Sequence, residues 1–398
     1  MIPEASRNKL AKQAALTRTA MSHEGLRGHD PYDALLSPLF RLPLLRSRWL
    51  PRFGAQQVVL RSRLDLRGIL RVPSQLNPVT VGLYVQGLAD LVDAGLLDKD
   101  ETVAEVSGWV SKLASIASPG YSGPCWGYPF PWEGRQHRMP ADTPTIVATS
   151  MVVSGLHRVW QVFEDEQARS LTVDSSWFVL DDLPRTSDTG RSFCWAYSPV
   201  DEQQVLNATL KGSRLIAQAI DAGLAGGETD RARKAATASA RFVIEYQEGD
   251  GGWPYAVGSD SRTWRDHHHT GYVLECLSTY RSILSDRQFD SEIEKGWDHY
   301  RSSFFNRDNL PRYYDDRDGP LDATAAGQAF ITLAQFDDVE FGFEVAGACL
   351  PVLARPDGTF TYRRTGRRLT RTHFIRWSTA WMFAGMARLL SKESRFPR

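Results

Sequence analysis

Polar residues able to do chemistry recur in this chain just where a helix is about to begin. The densest run is Trp264-Arg265-Asp266-His267-His268-His269-Thr270-Gly271-Tyr272. A histidine whose second nitrogen is held by a carboxylate moves protons well near neutral pH, so His269 beside Asp266 is a candidate general base. Adjacent helical residues point about 100° apart, so three consecutive histidines cannot all serve one metal. At most one is expected to face a cavity with Asp266 or Tyr272. No metal and no cofactor is called for. Cys125, Cys194, Cys276 and Cys349 lie far apart and form no Cys-x-x-Cys pair, so neither a disulfide framework nor a zinc ribbon is indicated. Gly251-Gly252 is a turn, because no phosphate-loop pattern surrounds it. Asp315-Asp316-Arg317-Asp318 reads as a solvated turn before Gly319-Pro320, with a magnesium or diphosphate site as the sharper alternative.

Other helix starts share this character. Asp142-Thr143-Pro144-Thr145 opens one, Leu321-Asp322-Ala323-Thr324 opens another and reaches Gln328, and Arg376-Trp377 opens the last with Trp381 beyond it. Tyr197-Ser198-Pro199 leads into the helix that carries Asn207. Each start follows an irregular stretch rich in aromatic residues: Cys125-Trp126-Gly127-Tyr128, Gly252-Trp253-Pro254-Tyr255, Leu310-Pro311-Arg312-Tyr313-Tyr314 and Gly358-Thr359-Phe360-Thr361-Tyr362. Aromatic faces stack on sugar C–H faces, and amides, carboxylates and arginines bind hydroxyls and acidic groups. The set therefore reads as a carbohydrate site. Trp126, Trp253 and Trp377 would form subsites, with Tyr255, Tyr313, Tyr314, Trp381, Asn207 and Gln328 as further substrate contacts. Free N–H groups at the helix starts, with Arg135 and Arg376, would favour an acidic sugar. Proton removal next to a carboxylate would fall to His269 or to a tyrosine, Tyr128 or Tyr272, and an arginine would stabilise the developing charge. Hydrolysis would need two carboxyls, for which Asp266 and Asp322 are the available pair. The plain alternative is that tryptophans and tyrosines at helical spacing simply fill the core.

The elements that must bring these residues together are helices. From Pro78 onward apolar residues recur at helical period in ten segments, near 78–92, 100–117, 143–166, 201–223, 229–248, 267–285, 288–304, 322–336, 339–354 and 373–391. The longest irregular stretches expected are 118–141, 167–200, 249–265, 305–320 and 355–370. Two or three further helices in the N-terminal part bring the total to about twelve, and no convincing strand run appears. The aromatic stretches repeat at about one helical hairpin each, the mark of a repeat architecture. Six hairpins suggest an all-α fold, an (α/α)6 toroid whose inner helices line a cavity. An open solenoid has less reason to gather aromatics along one edge.

Composition narrows the partners. The chain has 398 residues and a formal net charge of zero, which argues against nucleic acid. Residues 1–72 hold 13 Lys and Arg against 5 Asp and Glu, and the remainder carries the compensating acid. This divides the chain into a basic N-terminal arm, 1–72, and a toroid domain, 73–398. The arm would pack on the acidic body, or touch a membrane face or an assembly partner through the mixed basic and apolar stretch Arg41–Arg52. No apolar run approaches the length of a membrane span, and no secretory signal is apparent, so a cytoplasmic protein, free or peripheral to the inner membrane, is expected.

Two resemblances attach to these residues. Gln247, Gly251 and Trp253 form Gln-x3-Gly-x-Trp, which resembles the repeat motif of squalene cyclases and their toroid relatives. That resemblance implies the fold; the cyclases' Asp-x-Asp-Asp motif is absent. More closely, the chain resembles a group of bacterial and archaeal proteins associated with surface-polysaccharide gene clusters, often mislabelled as aminolevulinate dehydratases. The matching stretches are His29-Asp30-Pro31-Tyr32-Asp33, Cys125–Tyr128, Thr143–Thr149, Tyr197–Pro199 with Asn207, Trp253–Tyr255, His269–Glu275, Asp322 with Gln328, and Arg376-Trp377 with Trp381. Relatives in that group often carry His where this chain has Thr324, so a histidine role there does not transfer. The resemblance implies a toroid in a carbohydrate context, acting on a surface-glycan polysaccharide or oligosaccharide precursor. Uronate C5-epimerisation, β-elimination and hydrolysis all stay open. A terpenoid cyclase or prenyltransferase, and a non-catalytic glycan-binding or scaffold protein, are the rival readings.

Overall fold

The computed structural model describes residues 2–62, 64–134, 138–259, 262–370 and 372–395. Among these residues there are fourteen α-helices. Three lie in the N-terminal segment: α1 (Glu4–His23), α2 (Pro43–Arg46) and α3 (Trp49–Arg61). The rest alternate between two rings. They run α4 (Pro78–Asp93), α5 (Lys99–Ser115), α6 (Ile146–Phe163), α7 (Glu166–Trp177), α8 (Leu206–Asp221), α9 (Glu228–Ile244), α10 (His267–Leu284), α11 (Asp290–Ser303), α12 (Ala323–Gln335), α13 (Val339–Leu353) and α14 (Trp381–Glu393).

Packing follows from the distribution of apolar residues. Helix α8 is buried at every position from Leu206 to Ala219, so it must be surrounded. Helix α11 buries only Ile293, Gly296, His299 and Tyr300, one stripe of an otherwise polar helix. The six enclosed helices pack in the cyclic order α4, α6, α8, α10, α12, α14, with α14 returning to α4. The ring is closed, and the fold is an all-α toroid. Helices α5, α7, α9, α11 and α13 lie outside it. The outer place beside α14 is taken by α1, which buries Leu10, Ala14, Thr17 and Met21 against α14 and α13. Helix α7 falls within 167–200, which sequence alone left irregular. Its residues, Glu166-Gln-Ala-Arg-Ser-Leu-Thr-Val-Asp-Ser-Ser-Trp177, carry too few apolar side chains to show a period, and contact with α6 and α8 supplies the rest.

Two glycine pairs set how tightly the ring closes. A Cβ on Gly155 of α6 would meet Gly82 O of α4 at 2.2 Å, and one on Gly385 of α14 would meet Gly327 O of α12 at 2.4 Å. Backbones that approach this closely exclude any side chain. Gly155→Ala is expected to force α4 and α6 apart and cost about 1–3 kcal/mol, checked by thermal or urea unfolding. A neutral effect would show that the two helices can slide past each other. No described helix is long and apolar enough to cross a membrane.

Candidate functional site

Four of the inner helices, α6, α8, α10 and α12, begin fastened to the loop that follows their hairpin. The first N–H of α6 (Ile146) donates to Tyr197 O at 3.0 Å, that of α8 (Leu206) to Tyr255 O at 3.2 Å, that of α10 (His267) to Tyr313 O at 3.0 Å, and that of α12 (Ala323) to Tyr362 O at 3.0 Å. Polar caps complete the starts: Asn77 on α4, Thr145 on α6, Asp266 on α10 and Asp322 on α12. This corrects one expectation. The N–H groups thought free to bind an anion are largely occupied by tyrosine carbonyls and cap side chains. The same lattice gives each of these four loops a tyrosine beside an inner-helix start, with Tyr128 the corresponding residue after α5. Tyr197 and Tyr362 belong to this set; the sequence marked the stretches that hold them but gave neither a site role. The repeat that joins them is Trp195-Ala196-Tyr197 and Phe360-Thr361-Tyr362 beside Trp126-Gly127-Tyr128 and Trp253-Pro254-Tyr255.

The tryptophans divide into two groups. Trp126 and Trp253 are in the core. Trp126 Nε1 donates to Leu113 O at 2.9 Å and Trp253 Nε1 to Val243 O at 3.2 Å, each pinning the end of an outer helix. They are not subsites: a large apolar ring with one polar handle is most stable buried where that handle finds a carbonyl. At the rim near the start of α10, Trp264 is exposed and Trp377 half-buried. Trp264 stacks on Tyr255 with centroids 5.4 Å apart, and its Nε1 donates to Asp266 Oδ2 at 3.0 Å. Trp377 stands edge-on to His268 and near Tyr32. Trp253→Ala is therefore expected to cost about 3–5 kcal/mol of stability. Trp264→Ala should leave the melting temperature nearly unchanged. Calorimetry of both variants checks the contrast.

The histidine run sits at the start of α10, and Asp266 organises it. His269 N donates to Asp266 Oδ1 at 3.0 Å, and His269 Nδ1 lies 2.6 Å from Asp266 Oδ2. Burial pushes the Asp266 carboxyl up, but the His268 and His269 rings and the bonds from His269 outweigh it and hold the carboxyl well below its usual range. An ionised Asp266 favours the tautomer with the proton on Nδ1, so in the neutral ring the lone pair falls on Nε2. Among the described residues that nitrogen has no hydrogen-bond partner. The ring is partly open to solvent, with Tyr255 at 4.6 Å and Tyr272 at 5.7 Å between centroids.

His268 also approaches Asp266, which corrects the expectation that one histidine at most would do so. The cap carboxylate offers two oxygens on different sides, so neighbours 100° apart both reach it. His268 Nδ1 lies 3.1 Å from Oδ1 without hydrogen-bond geometry, and neither of its nitrogens is bonded elsewhere. Burial holds His268 at about 3 and His267 at about 4, so both stay neutral. His267 turns away: Tyr300 Oη lies 2.7 Å from its Nε2, and Arg312 O lies 3.0 Å from its Nδ1. Asp266, His268 and His269 bring three ligating atoms within 4.8 Å of one another, the one such group among the described residues.

Around this dyad lie the other predicted residues. Arg376 is buried, with Nε 2.6 Å from Asp30 Oδ2 and its guanidinium over the Tyr128 and Trp377 rings at 4.8 and 4.7 Å. Burial works against its charge, but Asp30 raises it above the ordinary arginine range. Asp322 is committed to its cap and to Arg363 Nε at 2.8 Å. Neither Asp266 nor Asp322 is a free carboxyl, so the pair proposed for hydrolysis is not available as acid and base. Burial raises the Tyr128 phenol and raises Tyr272 well above its usual value. Both stay protonated at neutral pH and act as donors, not as the bases first considered. Gln328 and Trp381 lie deeper: Trp381 Nε1 donates to Gln328 Oε1 at 3.2 Å, and Gln328 Nε2 to Glu275 Oε2 at 3.2 Å. Asn207 is buried in the first turn of α8 with Nδ2 unpartnered. Tyr313 lies 5.9 Å from His268, and Tyr314 packs beside it under Arg317. Of the acidic run, Asp315 is drawn into an ion pair with Arg265 at 2.6 Å, while Asp316 and Asp318 are exposed. Arg135 lies outside the described residues.

Beneath Tyr272 sits Lys211 of α8, which periodicity hid inside a helical segment. Its Nζ lies 3.7 Å from the Tyr272 ring centroid and 2.9 Å from Met151 Sδ. Burial first, and Arg214 second, push this amine down to about 8 from 10.5. Below pH about 8 the folded state bears the full cost of the buried charge. As pH rises toward 10.5 only the unfolded chain stays protonated, and that cost disappears. Lys211→Met should therefore stabilise the protein by up to about 3 kcal/mol at neutral pH, a gain that shrinks in alkaline buffer. A pH-independent difference in unfolding free energy would contradict this.

No family model and no curated protein matches the chain. Solved structures do match. A sugar epimerase from a ruminal bacterium superposes with a TM-score of 0.59 at 12% identity, over 80% of this chain and 87% of that one. Cellobiose 2-epimerase from Bacillus thermoamylovorans gives 0.58 at 9% identity, over 80% and 88%. The family 76 alpha-mannanase of Bacteroides thetaiotaomicron gives 0.60 at 11% identity, over 80% and 87%. At these identities the likeness is one of fold, and it places the chain among structures built as toroids of paired helices.

Proposed function

We propose that this protein is a saccharide-modifying enzyme that removes a proton from a carbon next to a carbonyl or carboxyl group and returns it, as an epimerase does. The observation that carries the reading is the Asp266–His269 pair. A carboxylate held ionised favours Nδ1–H, and the opposite nitrogen has no partner among the described residues; the Tyr255 and Tyr272 rings flank it, with Trp264 stacked on Tyr255 and Trp377 edge-on to His268. His269 Nε2 takes the proton from carbon. The electron pair moves onto the adjacent carbonyl oxygen, and a protonated phenol, Tyr272 or Tyr128, donates a hydrogen bond to it. Turnover of the planar intermediate against His269, followed by return of the proton from Nε2 to its other face, gives the epimer. Departure of a β-substituent instead would give an unsaturated sugar. Sugar epimerases are among the toroids that superpose on this chain, and so is a glycoside hydrolase; what favours proton transfer over hydrolysis is the commitment of Asp266 and Asp322 to other bonds. Arg376 and Arg363 are matched by Asp30 and Asp322, so the site does not depend on an acidic sugar. The resemblance to proteins of surface-polysaccharide clusters directs the search toward surface-glycan precursors.

Product analysis across three substrate groups tests this. Reducing disaccharides, uronate-containing oligosaccharides and neutral polysaccharides are incubated with the enzyme. Products are resolved as epimers, unsaturated sugars or new reducing ends. Epimers or unsaturated sugars support the reading. New reducing ends alone, without either, would assign the protein to hydrolysis and overturn it.

A further inference from the structure

We propose that the segment from Pro38 to Arg71 is a docking surface for an anionic lipid bilayer. Of fourteen exposed large apolar side chains among the described residues, eight fall between Leu39 and Ile69. Leu44 is 75% exposed, Leu50 70%, Leu64 74% and Ile69 82%. The charge is as one-sided as the apolarity: Ala34 to Leu64 contains six arginines and no aspartate or glutamate.

Helix α3 shows that the exposure is built in. The side it turns to the body buries Val59 together with Arg52 and Gln56, with Arg52 Nε 2.5 Å from Glu133 Oε1 and Gln56 Nε2 3.2 Å from Glu133 O. Leu50 and Val58 are left outside. A helix that puts arginine inside and leucine outside gains nothing from water. Leucine tips with cationic heads beside them suit the boundary between acyl chains and anionic headgroups. The apolar tips lie on a succession of short turns and helices, Pro38–Arg41, Pro43–Arg46, Trp49–Arg61 and the loop beyond. A fluid bilayer accepts such a surface without a matching shape, and the excess of arginine over the single acidic residue, Asp65, matches its charge.

The segment is also fastened to the mouth side of the toroid. Trp49 Nε1 donates to Gly134 O at 3.0 Å, just beyond the Tyr128 loop, and Asp30, shortly before the segment, holds Arg376. Docking through it would bring the candidate site to the membrane face.

The test is co-sedimentation of the full chain with phosphatidylcholine vesicles, with and without phosphatidylglycerol. Binding should rise at least about tenfold when phosphatidylglycerol is present and fall with added salt. Leu44→Glu/Leu50→Glu should lose it at an unchanged melting temperature, and so should Arg46→Glu/Arg48→Glu. No binding to either vesicle, or equal binding by the variants, would overturn the proposal. So would self-association of the wild-type chain that Leu44→Glu/Leu50→Glu abolishes, which would assign the surface to a second copy.

Discussion

Replacing His269 with alanine is expected to lower turnover by about 10²–10⁴-fold, the usual contribution of a placed general base, while the melting temperature moves little. The ring is partly solvent-exposed, and its removal leaves the Asp266 cap on α10 in place through the bond from residue 269 N to Oδ1. Asp266→Asn should reduce turnover by a similar order, because an amide can present its N–H to Nδ1 and favour the wrong tautomer. It should also cost some stability through the weakened cap. Steady-state kinetics paired with thermal melts separates the two effects. Wild-type turnover in His269→Ala would remove this residue from the chemistry.

The second large effect concerns stability. Asp30 and Arg376, 346 positions apart in sequence, form an ion pair in which both side chains are 6% exposed. Arg67 extends the link, donating to Asp33 Oδ1 at 2.7 Å and to Asp30 O at 2.7 Å. Asp30→Ala strands the Arg376 cation in a buried site and is expected to cost about 3–5 kcal/mol. The double variant Asp30→Leu/Arg376→Met removes both charges and should recover much of that loss, since a buried pair is worth little more than well-packed apolar groups. Urea unfolding of the wild-type protein and these two variants compares the costs. A single-variant cost below about 1 kcal/mol would show that water reaches the arginine.

The fold was largely legible because inner helices are enclosed and outer ones striped, so apolar period and loop spacing carry the same message. Helix α1 was harder to place. Its buried stripe, Leu10, Ala14, Thr17 and Met21, is there at helical spacing, but small and polar members and a strong charge surplus conceal it. In the site, residue types were easier to read than directions. Trp126 and Trp264 look alike in sequence, yet one ends in the core and the other at the rim, since only the packed hairpin decides which carbonyl an indole finds. Asp266 with His269 was readable because cap spacing fixes both. His268 and Lys211 were not, because their role depends on neighbours brought from other hairpins: Trp377 and Tyr313 around the first, Met151 and Tyr272 around the second. The tyrosine lattice at the rim lay between these cases, visible as a repeated aromatic-x-Tyr only once its carbonyls are seen to receive the helix starts.

Isotope wash-in reads the central claim most directly. In deuterated water, wild-type enzyme and a saccharide substrate should yield sugar carrying deuterium at one carbon beside the carbonyl or carboxyl group. The His269→Ala variant, folded to the same melting temperature, should yield none. Sugar modified by the wild-type enzyme yet free of deuterium at carbon would contradict proton transfer at this mouth.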